Sequence, residues 1–437
     1  MSRGFYIIMA AQFFSSLADN ALLIAAIALL REIQAPEWMT PQLKGFFFIS
    51  YVVLAPFVGA FADARPKGRV MFITNLIKIG GCLMMFAGMH PLLAYAVVGF
   101  GAAAYSPAKY GILTELLPPE KLVVANGWIE GLTVGSIILG FVFGGALVSP
   151  AIAAGLLSLD APMIDTHIDS PGEAAIGVII FVYAIASAIN LVIPDTGARY
   201  AKQETKPWRL IVDFGHCVAT LWRDKLGQIS LAVTTLFWGA GATLQFIILR
   251  WSEQVLGLRL DQGAILQAVV AIGIALGSVL AAARVSLRRS LSVLPFGVAM
   301  GVLVAALAFI DFGRLGSGVA LYGSTLSGGM LLAAALMVVI GAMAGYFVVP
   351  MNALLQHRGH VLLSAGHSIA VQNFNENLSI LVLTNTYALL IGIGMGIDTV
   401  IVLFGIFVAA TMWLVILRHR YNQRQFDSEA LIGERKH

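Results

Sequence analysis

Apolar runs of about twenty residues recur along almost the whole chain, and each is long enough to cross a bilayer as one helix. With no water inside the hydrocarbon, every backbone polar group must be satisfied within its own segment, so such runs fold as helices. Read in order, spans fall near 5–30, 45–62, 69–88, 92–114, 122–149, 174–193, 229–251, 263–283, 291–310, 329–350, 364–391 and 394–417, which makes twelve. None shows the ten-residue alternation of an outer-membrane barrel strand. Composition agrees: 59% of residues are hydrophobic and 11% charged, against about 25% charged in a soluble domain. The expected class is an all-α polytopic membrane protein.

Basic residues orient the spans. With twelve, the N-terminus, the even-numbered loops and the C-terminal tail share a side, which holds Arg3, Arg65, Lys67, Arg69, Lys121, the basic linker, Arg284, Arg288, Arg289 and Arg358. The opposite loops hold Arg31, Lys44, Arg250, Arg259 and Arg314. The positive-inside rule then predicts both termini in the cytoplasm. The first span is too long for a signal-peptide core and reads as an uncleaved anchor. Cys82 in a span and Cys217 in the linker imply no disulfide.

From Pro194 to about Gln228 the chain turns polar and basic, which divides it into a six-helix bundle over 1–193, a cytoplasmic linker over 194–228, a second bundle over 229–417 and a tail over 418–437. Within the linker, Trp208, Leu210, Ile211, Phe214, Val218, Leu221 and Trp222 share one helical face, the pattern of a helix lying in the membrane interface. The loop at 150–173 carries four acids and no Lys or Arg, as an outward-facing loop can. The bundles echo each other. "GAAAYSPAKYGIL" in the fourth span parallels "GYFVVPMNALLQ" in the tenth, pairing Pro107 with Pro350, and "GAFADARPKGRVM" parallels "GSVLAAARVSLRRSL".

Polar residues inside the spans are the candidate functional groups. An aspartate near the middle of a membrane helix costs roughly 2.5–3.5 kcal/mol on insertion scales, so something must compensate or use it. In the first span Gln12, Ser15, Ser16, Asp19 and Asn20 line one helical face. Tyr105, Ser106, Lys109 and Tyr110 flank Pro107 in the fourth span, and Asn126, Glu130 and Thr133 form a stripe in the fifth. The eleventh is densest, with His367, Gln372, Asn373, Asn375, Glu376 and Asn377. These groups suit a hydrated cavity for a polar ligand; a structural Asp19–Lys109 pair is the simpler alternative. Lys78, with Asn75 on its face, reads as structural or snorkelling.

The first cytoplasmic loop, Gly59 to Arg69 ("GAFADARPKGR"), closely resembles the loop motif of the major facilitator superfamily. Asp63 ends a helix, where the dipole is unfavourable unless a positive partner such as another helix's N-terminus meets it. Asp63, Arg65, Lys67 and Arg69 are therefore the gating candidates, and two pseudo-symmetric six-helix halves the expected fold. No nucleotide-binding P-loop, zinc-protease or serine-hydrolase motif and no glycerolipid acyltransferase H-x-x-x-x-D occurs, so an enzyme is not expected, nor a cofactor, metal or nucleic acid.

More particularly, "DNALLIAAIALL", "APFVGAFADARPKGRVM", "GAAAYSPAKYGILTEL", "LFWGAGATL", "VVPMNALLQHRG" and "AVQNFNEN" together resemble the bacterial lysophospholipid transporter family over about residues 5 to 417. The resemblance implies a monomeric inner-membrane carrier that moves lysophosphatidylethanolamine and lysophosphatidylglycerol from the outer to the inner leaflet, by alternating access with lateral opening. A cytoplasmic-side acyltransferase with acyl-carrier-protein synthetase activity is the implied partner, and neither ATP nor a proton gradient is implied. It carries charged family positions to Asp19 and Lys109. On this reading Lys109 meets the phosphate, and Asp19 holds an ammonium or orients Lys109. Asn20, Tyr105, Asn126, Glu130, Gln245, Arg250, Asn352, Gln356, Gln372, Asn373 and Glu376 complete the substrate set. One departure stands out: an arginine usual in the seventh span is Gln245 here, with Arg250 five residues on, a spacing that changes helix face. The alternative is a proton-coupled exporter of small amphiphiles or drugs, with Asp19 or Glu376 titrating; a scaffold has little reason to keep so many polar groups in the bilayer.

Overall fold

The structure, a computed structural model, describes residues 3–35, 39–158, 170–200, 206–258, 260–312, 319–321 and 324–433. Most of the acidic loop, Arg259, Arg314 and the last four residues of the tail lie outside the described residues, as does the side chain of Glu130.

Fourteen helices are described: α1 (Arg3–Glu32), α2 (Met39–Asp63), α3 (Lys67–Phe86), α4 (Pro91–Leu116), α5 (Leu122–Leu147), α6 (Pro150–Leu157), α7 (Pro171–Leu191), α8 (Pro207–Arg223), α9 (Gly227–Gln254), α10 (Leu260–Arg284), α11 (Leu294–Ala306), α12 (Gly328–Leu362), α13 (Ala365–Gly392) and α14 (Ile397–Gln425). A small antiparallel hairpin pairs Val319–Leu321 with Ser324–Leu326. Among the described residues eleven helices are long and apolar enough to span a membrane. The helix α13, 28 residues long, occupies the position of the remaining expected span, and its polar residues keep it below the apolar threshold. Two boundaries differ from expectation: α12 runs through Pro350 to Leu362, and α14 continues to Gln425 rather than ending near 417.

Local signals explain the ends. Ser170 and Glu173 form a capping box at α7, with Pro171 at its first helical position. Asp224 accepts from the backbone N–H groups of Leu226 (3.1 Å) and Gly227 (2.7 Å), satisfying donors that α9 leaves open at its start. In α8, Phe214 and Leu221 are buried while Trp208, Ile211 and Trp222 are exposed, so the apolar face of the linker helix is shared between the protein and its surroundings.

The chain forms two compact units, one of Met1–Pro118 with Gly135–Ala219 and Leu363–Phe374, the other of Pro119–Val134 with Thr220–Leu362 and Asn375–His437. The core of the first is built by α1, α3, α4 and α7 around Leu22, Leu30, Met85, Tyr95, Ile179 and Tyr183. That of the second centres on Ile247, Trp251, Val304, Ile340 and Ile401. In the second unit α10 and α12 touch backbone to backbone. A Cβ at Gly277 would collide with the Ala342 carbonyl oxygen, so only glycine permits this approach. Gly277→Leu should therefore separate α10 from α12 and cost at least the ~1–3 kcal/mol of an overpacked core, read as a lower melting temperature in detergent.

Candidate functional site

In the first unit Asp19 on α1 is paired with Lys78 on α3. The Lys78 ammonium donates to both Asp19 oxygens at 2.8 Å and to Ser15 Oγ at 3.1 Å, which uses all three of its donors. Tyr183 on α7 donates its hydroxyl to Asp19 Oδ1 at 2.6 Å. The ammonium also lies 4.9 Å from the centre of the Tyr105 ring and 5.5 Å from that of Tyr183, within range of a cation–π attraction. Ser15 in turn donates to Asn75 Oδ1 at 2.9 Å. Four helices thus converge on one ion pair. The two partners differ in access: the Lys78 side chain is 1% exposed and that of Asp19 23%. An incoming group reaches the carboxylate first.

Of the alternatives weighed for Asp19, a structural pair is present, but with a different lysine. Asp19 meets Lys78, not Lys109, whose ammonium lies 4.3 Å from the Tyr110 ring centre. Lys109 stands one helical turn beyond Tyr105 on α4, which places it on the same face as the ring that covers Lys78. Lys78, read from the sequence as structural or snorkelling, is the structural partner of Asp19. It is the twelfth of the twenty residues of α3, too deep for its stem to reach either interface, and that depth was the available signal. Tyr183 carried no signal at all. Asn20, half-buried, donates to its own helix at Ser16 O (2.8 Å).

A second constellation in the same unit surrounds Asp63. Its carboxylate accepts from the backbone N–H of Gly366 (2.9 Å) and of His367 (3.3 Å) at the start of α13, from Ser364 Oγ, and lies 2.9 Å from His367 Nδ1. Lys67 bonds it at 2.6 Å and lies 3.4 Å from Glu115 at the end of α4. Glu115 accepts from Thr196 (2.7 Å) and Tyr200 (2.8 Å). Burial and the Glu115 carboxylate push the Tyr200 hydroxyl's pKa up, so it remains a donor. The N-terminus of α13 thus supplies both partial positive charge and N–H groups to an acid at a helix C-terminus. Arg65 and Arg69, from the same loop, are exposed and outside this network; Arg65 lies over the Phe61 ring at 5.4 Å. Nearly two turns further along α13, Asn373 donates to Ser106 Oγ at 2.8 Å, tying α13 to α4, and Gln372 is buried nearby on α13.

The second unit holds the remaining expected residues. Asn126 on α5 and Gln356 on α12 exchange two hydrogen bonds of 2.9 Å, both side chains being essentially inaccessible. Their amides, expected to face a ligand, satisfy each other. Asn352 and Glu376 are also buried. Gln245 is exposed and Arg250 half-buried, as their different helix faces require. Near the end of α12, Arg358 grips Asp224 with two bonds of 2.9 and 2.7 Å, while His357 Nε2 lies 3.1 Å from the Ile432 carbonyl of the tail. No cluster of three or more metal-ligating acids, His or Cys occurs among the described residues.

Removing one partner of an ion pair inside a span leaves the other charge uncompensated, while a neutral replacement of the whole pair is better tolerated. Lys78→Ala should cost about 3–5 kcal/mol; combining Lys78→Met with Asp19→Asn should recover most of that loss. Thermal unfolding in detergent reads both. Equal losses in the single and double variants would mean that packing, not charge, matters at this position.

The sequence profile of the Major Facilitator Superfamily matches residues 8–384. The chain is 41% identical over 396 residues to the lysophospholipid transporter LplT of Yersinia enterocolitica, covering 90% of this chain and 89% of that protein. It is equally similar to LplT of Yersinia pestis, covering 90% and 88%. Among solved structures, a bacterial homologue of the iron transporter ferroportin in an outward-facing state superposes with a TM-score of 0.68 at 16% identity, covering 97% of this chain and all of that one. The transporter FucP in the outward conformation gives 0.67 at 13% identity, covering 96% and 98%. These two likenesses speak for the fold. The chain belongs to the Major Facilitator Superfamily and, within it, to the family of the LplT proteins.

Proposed function

We propose that the chain is a lysophospholipid transporter of the bacterial inner membrane, which carries lysophosphatidylethanolamine and lysophosphatidylglycerol from the outer to the inner leaflet by alternating access with lateral opening. Both termini are then cytoplasmic, and a cytoplasmic-side acyltransferase receives the product. Full-length similarity to the LplT proteins supports the substrate class. The observation that carries it in the structure is the ion pair itself: a partly accessible Asp19 carboxylate backed by an enclosed Lys78. A ligand that draws the carboxylate away must leave an anion for the lysine. A phospholipid head group with a phosphate and an ammonium supplies both charges at once.

In this reading Asp19 takes the ammonium, and Lys109 with Tyr105 receives the phosphate. Asp63 and Lys67 act as a latch on the start of α13, and Arg65 and Arg69 fix the loop's orientation. Asn126 and Gln356 serve α5 and α12 as a second fastening. An exporter driven by protons is the competing outcome.

Uptake of radiolabelled lysophosphatidylethanolamine by cells lacking their own transporter tests the proposal. The wild type should restore uptake and a protonophore should leave it intact. Asp19→Ala should reduce it by more than about tenfold, the effect of losing roughly 1.4 kcal/mol of head-group binding. The Asp19→Asn, Lys78→Met double variant should be folded and equally inactive. No uptake by well-expressed wild type would overturn the lipid reading.

A further inference from the structure

Beside the Asp19–Lys78 pair, α3, α4 and α7 of the first unit bury a set of polar atoms that no protein group satisfies. Asn75 Nδ2 on α3, the Tyr105 hydroxyl on α4, and Ser187 Oγ with both amide atoms of Asn190 on α7 are enclosed without a hydrogen-bond partner. None of these four residues is more than 5% exposed. They share one space. Ser15 bonds Asn75 and receives the Lys78 ammonium, and the Tyr105 hydroxyl faces Ser15 and Asn190 without closing a hydrogen bond to either. Ser187 stands four residues past Tyr183, the donor to Asp19, and three before Asn190, which puts all three on one face of α7. We infer that this chamber is a hydration site, binding a cluster of about two water molecules next to Lys78.

The chemistry of the walls selects water. Burying one polar atom without a partner is strongly unfavourable, and five such atoms in one space point to a bound group rather than to five separate losses. A metal cation does not fit: the Lys78 ammonium already lies 3.1 Å from Ser15, and the acid within reach, Asp19, gives both its oxygens to that ammonium. An anion does not fit either, because Lys78 is already neutralised and Asn190 Oδ1 needs a donor. Walls this deeply buried leave no opening for a larger molecule. Water donates and accepts, and a buried water makes about three hydrogen bonds, two to four in range, to groups otherwise unsatisfied. Two waters that bond each other, with two or three further bonds each, serve all five atoms.

The chamber gives the ion pair a second partner. Lys78 spends two of its three donors on Asp19. When the carboxylate turns to a ligand, water beside Ser15 accepts those donors and holds the ammonium until an anion arrives. That role rests on the transport reading; the hydration of the chamber does not.

The test is X-ray hydroxyl-radical footprinting of the full-length protein in detergent, in which bound water yields radicals that oxidise the side chains beside it. Tyr95, buried to the same degree as Tyr105 but packed in the apolar core, is the internal control. Tyr105 should be oxidised several-fold faster than Tyr95; equal rates would overturn the proposal. Asn190→Leu, a change of similar shape, displaces part of the cluster, so Tyr105 oxidation should fall several-fold and the melting temperature should drop. In a dry chamber the same change would remove two unsatisfied atoms and raise the melting temperature, which would overturn the proposal, as would unchanged Tyr105 oxidation in the folded variant. Ser187→Ala carries the same thermal contrast through a smaller change, should Asn190→Leu fail to fold. Full uptake of lysophosphatidylethanolamine by an Asn190→Leu protein that has lost the oxidation would uphold the hydration site and overturn its role at Lys78. Oxidation of Tyr105 without uptake by the wild type would uphold the site and overturn the transport reading instead.

Discussion

A lysine amine buried in a membrane protein needs an acid, and the acid must be held where the lysine can reach it. Lys78 sets this requirement, and much of the first unit answers it. Asp19 on α1 gives both oxygens, Ser15 fills the third donor, and Tyr105 and Tyr183 turn aromatic faces toward the charge. Their helices α1, α3, α4 and α7 are the ones that build the apolar core around Leu22, Tyr95 and Ile179. The pair is therefore both a packing constraint and the most concentrated polar feature among these spans. Its asymmetry of access leaves the acid, not the lysine, open to an incoming group.

The same economy of parts recurs at the helix ends. Asp63 is tolerable at the C-terminus of α2 because the first turn of α13 donates to it. Asp224 caps α9 while gripping Arg358. Each acid joins segments far apart in sequence through charge-assisted hydrogen bonds.

Much of this was legible in the sequence, because the bilayer reduces the choice of secondary structure to helices and leaves length and hydropathy to set their number. The loop "GAFADARPKGR" identified the superfamily, and Asp19 announced itself by its cost. The pairing of Asp19 was not legible. Lys109 and Lys78 both lie in spans, and only the packing of α3 beside α1 and α7 decides between them. The amides of Asn126 and Gln356 were visible as polar, but two side chains 230 positions apart give no sign that they satisfy each other.

The most direct measurement is a structure of the protein determined by electron cryo-microscopy with lysophosphatidylethanolamine bound. The account predicts the ammonium against Asp19 and the phosphate beside Tyr105 and Lys109. A head group bound away from α1, α3 and α4, with the Asp19–Lys78 pair undisturbed, would contradict it.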